Sequence, residues 1–401
     1  MISLEDIISA RQTLKGVAYK TGLVQDAVLT EMCGKQVYLK MENLQRTGSF
    51  KLRGAYNRIA WLGEEEKKFG VIASSAGNHA QGVALAAKTY GIEATIVMPK
   101  HAPLSKVKAT QKHGGKVILH GSMYDEAYAK AVEIQQQTKA TFIHPFDDPF
   151  VMAGQGTIAL EILEDLPDVD VIVVPVGGGG LISGIAVAAK NIRPNIQVVG
   201  VQTENMCSMA KSFQQQKIVA VEGAGTIADG IAVKIPGKQT FPIIQQYVDD
   251  IVTVNEEEIA AAILLLLEKS KAVAEGAGAV AVAAVINSLS RYRGKKIAAV
   301  LSGGNIDVNI LSRIIDKGLM KSGRKVYCNT IIPDKPGTLW HFLELISDTG
   351  ANILSVSHNR QRQDVALGYA CVEIELETSD EEHIMEIRSL LKKNKYNVVI
   401  Q

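Results

Sequence analysis

The sequence predicts an α/β fold with crossover connections, closed by a small ferredoxin-like domain at its C-terminal end. Three observations carry that expectation. From about Val71 to Val300, apolar strand segments alternate with small-residue loops and amphipathic helical stretches. Three glycine-containing loops follow directly on strands, and so fall at the end of the sheet where α/β folds bind ligands. After about Leu319 the pattern changes to a compact βαββαβ order that has no such loop.

Strands are predicted at Val71-Ile72-Ala73, Ala94 to Met98, Lys116 to Leu119, Thr141 to His144, Val171 to Val176, Ile196 to Val201 and Ile297 to Leu301. Several are unbroken runs of β-branched residues, as expected of parallel strands buried on both faces. Helices are predicted over stretches such as Gly82 to Tyr90 and Glu256 to Ala274. The second opens with Asn255 and carries Glu258 three residues later, a capping-box start with acids at the positive helix end. Lys321-Ser322-Gly323-Arg324-Lys325 is polar and basic and reads as a linker. Beyond it come a strand from Val326 to Ile332, a turn at Asp334-Lys335-Pro336-Gly337 and a helix from Thr338 to Thr349. A strand from Asn352 to His358, another from Val365 to Leu376, a helix from Ser379 to Asn394 and a strand from Tyr396 to Ile400 complete the order.

Composition narrows the function classes. Hydrophobic residues make up 47% and the formal net charge is +1, so no basic field attracts nucleic acid. No apolar run reaches the roughly 20 residues of a membrane-spanning helix. The first residues, Met1-Ile2-Ser3-Leu4-Glu5-Asp6, lack the basic and apolar regions of a signal peptide. Cys33, Cys207, Cys328 and Cys371 are far apart and form no metal-ligand spacing, so reduced thiols, no metal and a cytoplasmic setting are expected.

The chemistry lies in the loops. Lys51 stands between Phe50 and Leu52 at a helix start, in Gly48-Ser49-Phe50-Lys51-Leu52-Arg53-Gly54-Ala55. An amine in apolar surroundings loses proton affinity and becomes nucleophilic, the property of a Schiff-base lysine. Gly177-Gly178-Gly179-Gly180-Leu181 follows a buried strand and can present only backbone N–H groups, which suit a phosphate. The sequence has no GxxxxGK[ST] motif, and Val199-Gly200-Val201-Gln202 lacks the acid that a dinucleotide ribose requires. A phosphate cup with an activated lysine suggests pyridoxal 5′-phosphate. Asn78, in Ser74-Ser75-Ala76-Gly77-Asn78-His79-Ala80-Gln81-Gly82, and Ser302, in Ser302-Gly303-Gly304-Asn305, are placed to meet its ring oxygen and ring nitrogen. The plainer readings are a turn asparagine and a helix-capping serine.

These four motifs, in this order over residues 1 to about 319, resemble the threonine/serine ammonia-lyases of the fold-type II pyridoxal-phosphate enzymes. The resemblance implies a two-lobed catalytic body over residues 1–319, with a smaller lobe at about 55–145 inserted in the larger. The region from 326 to 401 resembles an ACT domain through Asp334-Lys335-Pro336-Gly337-Thr338-Leu339 and Gly350-Ala351-Asn352-Ile353. Carried onto this chain, the family implies that Lys51 and Phe50 lie at the cofactor and that Lys51 also removes the substrate's α-proton. It implies that the amides of Gly177, Gly178, Gly179, Gly180 and Leu181 hold the phosphate, and that Ser75, Asn78 and His79 close on the substrate carboxylate. Glu275 falls at a position the family uses near the site, although a helix-terminal glutamate is the plainer reading.

The implied reaction converts L-threonine to 2-oxobutyrate and ammonia, and L-serine to pyruvate. A serine at the ring nitrogen cannot keep the ring protonated as an aspartate would, which favours loss of the β-hydroxyl over transamination. Serine racemases share the scaffold but carry a serine where this chain has Ala76, and racemisation needs an acid on that face. The stretch Gln202-Thr203-Glu204-Asn205-Met206 lacks the spaced carboxylates of a divalent-metal site. A β-replacement synthase fits the loops less well. An amino-acid sensor that has lost catalysis would not need all four motifs. By resemblance, the tail pairs across subunits of a homodimer or homotetramer. It binds a branched-chain amino acid near Asp334, Gly337, Thr338 and Asn352.

Overall fold

The computed structural model describes residues 1–292 and 295–400, and the chain divides into two compact units, Met1–Asp307 and Val308–Gln401. In the first unit the strands are β1 (Leu23–Gln25), β2 (Gln36–Lys40), β3 (Val71–Ser74), β4 (Ala94–Met98) and β5 (Lys116–Leu119). They continue with β6 (Thr141–Phe142), β7 (Val171–Pro175), β8 (Gln197–Thr203), β9 (Asp250–Val254) and β10 (Lys296–Val300). They form two sheets. The larger has the order β1-β2-β10-β7-β8-β9, parallel except for β1 against β2. The smaller, β5-β4-β3-β6, is wholly parallel.

Burial follows from strand position. Every residue of β7 and β3 is buried, as the β-branched runs require of central parallel strands. The edge strand β5 is half-exposed, so its apolar run does not imply two covered faces. Ile172, Val174, Ile182, Ile185 and Val198 belong to the core of the larger lobe. Val71, Ala73, Val83, Ile96 and Ile143 belong to that of the smaller. The Lys51–Ala60 helix packs on Pro149–Asp165 of the larger lobe and on Asn78–Thr89 of the smaller. Its first residue is therefore held where the two lobes meet.

Sequence patterning misses β1, β2 and β9. In β2 the reason is chemical: the strand ends in Lys40, which is fully buried only because its ammonium meets Glu161 at 2.6 Å and donates to the Thr21 carbonyl. The helix expected over Glu256 to Ala274 ends at Leu265, passes into a π turn at Leu266–Ser270 and stops at Lys271, which takes φ +55°. Its start is as expected, with Asn255 and Glu258 bonded reciprocally.

In the second unit β11 (Lys325–Pro333), β12 (Asn352–Asn359), β13 (Tyr369–Glu377) and β14 (Val398–Ile400) form an antiparallel sheet in the order β12-β13-β11-β14. Helices Thr338–Ser347 and Glu381–Lys393 supply Phe342, Ile346, Ile384 and Ile387 to its core. The strand expected from Val365 begins at Tyr369, after a turn that closes on Gly368 at φ +85°.

Candidate active site

Lys51 opens its helix behind Phe50, which provides no side-chain cap. The backbone fixes this segment, because the Phe50 N–H donates to the Ser302 carbonyl at 3.1 Å and Ser49 bridges to Gly303. The Lys51 Nζ donates to the Pro145 carbonyl at 3.0 Å and lies 5.2 Å from the centre of the Phe50 ring. Burial pushes its pKa down to about 8, against a smaller upward pull from Glu275. A helix N-terminus also disfavours a cation. The amine is thus poised closer to its neutral, nucleophilic form than an ordinary lysine.

The residue after Pro145 leads to the glycine loop. A Cβ on Gly178 would collide with the Phe146 ring, and one on Gly180 would lie 2.9 Å from Phe146 and from Gln155 Oε1. Gly179 takes φ +101°, a backbone that L side chains rarely adopt. The loop's carbonyls are engaged: Gly178 accepts from the Thr240 hydroxyl at 2.6 Å and Gly179 from the Ser183 amide at 3.0 Å. Its amides are not. No N–H from Gly177 to Leu181 has an acceptor among the described residues. They stand at the positive end of the Gly180–Ile192 helix.

Asn78 begins the Asn78–Thr89 helix and is no turn asparagine. Its Nδ2 donates to Glu275 Oε1, and its Oδ1 accepts from Asn305 Nδ2 at 2.7 Å. Glu275 occupies the cap position of the Gly276–Asn287 helix but makes no capping bond with its side chain. Burial and the nearby Asp229 carboxylate lift it to about 7, while the Asn78 bond, Lys106 and Lys51 pull the other way. Ser302 is buried, and its Oγ donates weakly to the Ala277 carbonyl at 3.3 Å. The next helix begins only at Val308, so Ser302 is not a helix cap.

Ser75 is half-buried, and its Oγ accepts from the Gly77 amide at 3.2 Å. His79 is 3% exposed, with Nε2 at 2.8 Å from the Ile143 carbonyl, so that nitrogen carries the hydrogen. Burial and Lys51 drive it down to about 3, which makes it neutral at any ordinary pH. Lys51, Phe50, Asn78, Ser302 and the glycine loop therefore share one centre, with Glu275 joined to them.

In the second unit Asp334 pairs with Arg360 at 2.7 Å, and Gly337 at φ +85° starts the helix that Thr338 opens. Asn352 does not join them. The register sets Asn352 opposite Glu377, which also faces Lys325, whereas Pro333 faces Tyr369. Asn352 is thus at the far end of the sheet, bonded to Glu377 at 3.1 Å. The helix between Thr338 and Ser347 carries the chain back along the sheet. The turn is held by Arg360 on the Asp334 side chain and by the Gly368 carbonyl, which accepts from the Asp334 amide at 2.9 Å.

Comparison with known proteins decides the family. Residues 14–303 match the family model described as pyridoxal-phosphate dependent enzyme. The chain belongs to that family. It is 60% identical over 400 residues to the L-threonine ammonia-lyase of Thermotoga maritima, covering all of both chains. Among solved structures, that of maize serine racemase is 35% identical with a TM-score of 0.75, covering 80% of this chain and 98% of the other. The processed threonine deaminase isoform 2 of Solanum lycopersicum is 39% identical with a TM-score of 0.74, covering 78% and 86%. As a pyridoxal-phosphate enzyme, the chain must hold a phosphate and an aldehyde. The unpartnered amides beside a helix N-terminus fit the first, and the buried amine of Lys51 fits the second.

For two side chains sequence reasoning missed the partners. Glu275 could be suspected from its motif, but its bond to Asn78 spans 197 positions. Arg53, two residues after Lys51, reads as part of a loop signature. It is in fact buried and holds Glu42 and Glu161 together.

Proposed function

We propose that the chain deaminates L-threonine by eliminating water, giving 2-oxobutyrate and ammonia, and acts likewise on L-serine to give pyruvate. The observation that carries this reading is the convergence of the Lys51 amine, the free amides of Gly177 to Leu181 and the Ser302 hydroxyl in a single site. The 60% identity to a threonine ammonia-lyase over the whole chain supports it. Bound pyridoxal phosphate supplies the electron sink that makes an amino acid's α-proton removable.

The chain's own residues do the rest. Lys51, neutral in part at physiological pH, takes the proton from the substrate Cα. The amides of Gly177 to Leu181, with the helix dipole behind them, hold the phosphate dianion. Ser302 offers the ring nitrogen a hydroxyl and no negative charge. The N-terminal turn of Asn78–Thr89, with Ser75, receives the substrate carboxylate. His79, neutral and tied to Ile143, shapes that pocket and adds no charge. Ala76 leaves the opposite face without an acid, which disfavours reprotonation there. Overall shape does not separate lyase from racemase, since the structural likeness to both is equal within 0.01 in TM-score. Incubation with L-threonine should release 2-oxobutyrate, and with L-serine should release pyruvate with little D-serine. Comparable pyruvate and D-serine would overturn the lyase assignment.

The tail is proposed as the seat of regulation by a branched-chain amino acid, in a cytoplasmic homodimer or homotetramer. Asp334, Gly337 and Thr338 form its candidate site. A ligand there changes rate only through unequal affinity for two states. Isothermal titration of the full chain with isoleucine and valine should show binding of at least one, with a matching change in threonine turnover. Absence of both would remove the regulatory role and leave the catalytic one.

A further inference from the structure

We propose that Asn305 and Glu275 form a positioning device that fixes which way round the Asn78 side-chain amide sits, keeping one of its N–H hydrogens free for the bound cofactor. The two ends of an asparagine amide are nearly equal in shape and opposite in hydrogen-bonding sense, so its neighbours decide its orientation. Here a single backbone carbonyl sets the order. The Thr47 carbonyl can only accept, and Asn305 Nδ2 donates to it at 2.7 Å. The same NH₂ group turns its second hydrogen to Asn78 Oδ1, also at 2.7 Å. Asn78 must therefore present its oxygen to Asn305 and its nitrogen to Glu275, where Oε1 accepts one hydrogen. The other hydrogen of that nitrogen has no acceptor among the described residues.

The surrounding backbone makes room for this chain of bonds. A Cβ on Gly48 would collide with the Asn305 side chain, and a Cβ on Gly303 with the Glu275 carboxyl. The Glu275 amide is anchored to the Gly303 carbonyl at 3.1 Å. Glycines and asparagines from three separate sequence motifs thus serve one purpose. The charged groups facing Glu275 are Asp229, Lys106 and Lys51, and together with burial they leave it near half-ionised at neutral pH. Both of its forms retain an oxygen able to accept from Asn78.

The inference rests on the cofactor reading above, and the experiment separates the two. Apo-protein is titrated with pyridoxal phosphate, following absorbance and fluorescence, for the wild type and for Asn305→Asp, Glu275→Leu and Glu275→Gln. Asn305→Asp keeps the size and removes both donors. Glu275→Leu removes the acceptor, whereas Glu275→Gln keeps it without the charge. The first two are expected to raise the cofactor's dissociation constant about tenfold and to shift its absorption maximum. Glu275→Gln is expected to keep the wild-type maximum and to stay within about threefold in affinity. If Glu275→Gln falls as far as Glu275→Leu, charge and not orientation is at work, and the device is overturned. It is also overturned if all three variants titrate like the wild type. If the wild type itself takes up no cofactor, the functional reading falls with it. Should Asn305→Asp fail to fold, the Leu and Gln pair at position 275 still decides.

Discussion

Lys51→Ala should abolish the long-wavelength absorption of the cofactor-loaded protein and nearly all release of 2-oxobutyrate. Removing a proton-transfer group alone typically costs about 10²–10⁴ in rate, and here the covalent anchor is lost as well. The fold should survive, because the substitution shortens a half-buried side chain whose only polar bond among the described residues is to the Pro145 carbonyl. The loading reaction of the wild type carries a sign that can be checked. Reaction with an aldehyde needs the neutral amine, and the Lys51 pKa is about 8. An ordinary lysine has well under 0.1% neutral amine at pH 7, against roughly a tenth here. Apo-protein mixed with pyridoxal phosphate should load faster as pH rises from 7, levelling above about 8. A loading rate still climbing past pH 10 would mean that the amine is unperturbed. An alanine variant with normal turnover would end the role assigned to Lys51.

The parts of the site that could be read in the sequence are those whose chemistry needs particular residues side by side. A tetraglycine at the end of a buried strand has few uses other than presenting amides, and a lysine between Phe50 and Leu52 is conspicuous in the same way. What could not be read depends on partners distant in the chain. Arg53 meets Glu161 across 108 positions, and nothing in the local pattern distinguishes it from a solvated arginine. β2 was hidden for a related reason, since Lys40 makes it look too polar for a central strand until Glu161 is placed beside it. The tail gave the opposite lesson. Its element order was plain, yet Asn352, close to Thr338 in sequence, lies at the other end of the sheet because a helix intervenes.

Arg53→Met should destabilise the protein severely. Its guanidinium is 1% exposed and forks onto two carboxylates. Nε and Nη2 donate to Glu42 at 2.9 and 2.8 Å, and Nη1 and Nη2 donate to Glu161 at 2.6 and 2.9 Å. Thr157 and the Tyr19 carbonyl take further bonds. This ties the helix that carries Lys51 to the Pro149–Asp165 helix and to the turn at Glu42–Leu44. Removing one partner of a buried pair costs about 3–5 kcal/mol, because the charges left behind stay buried. For a body of this size that is a fall of roughly 5–10 °C in melting temperature. Arg53→Lys should not restore it, since an ammonium cannot make two bidentate contacts. The pH dependence should reverse. In the wild type, burial would raise the Glu42 pKa, but Arg53, Thr21 and Lys40 hold it below the usual carboxylate range. That stabilisation is complete above the unfolded pKa and is lost as pH falls through the folded one. In Arg53→Met the stranded Glu42 carboxylate gains by taking up a proton, so the variant should melt higher at mildly acidic pH than at pH 7.5. Parallel melting curves against pH in the two proteins would show that Arg53 is not what keeps Glu42 ionised.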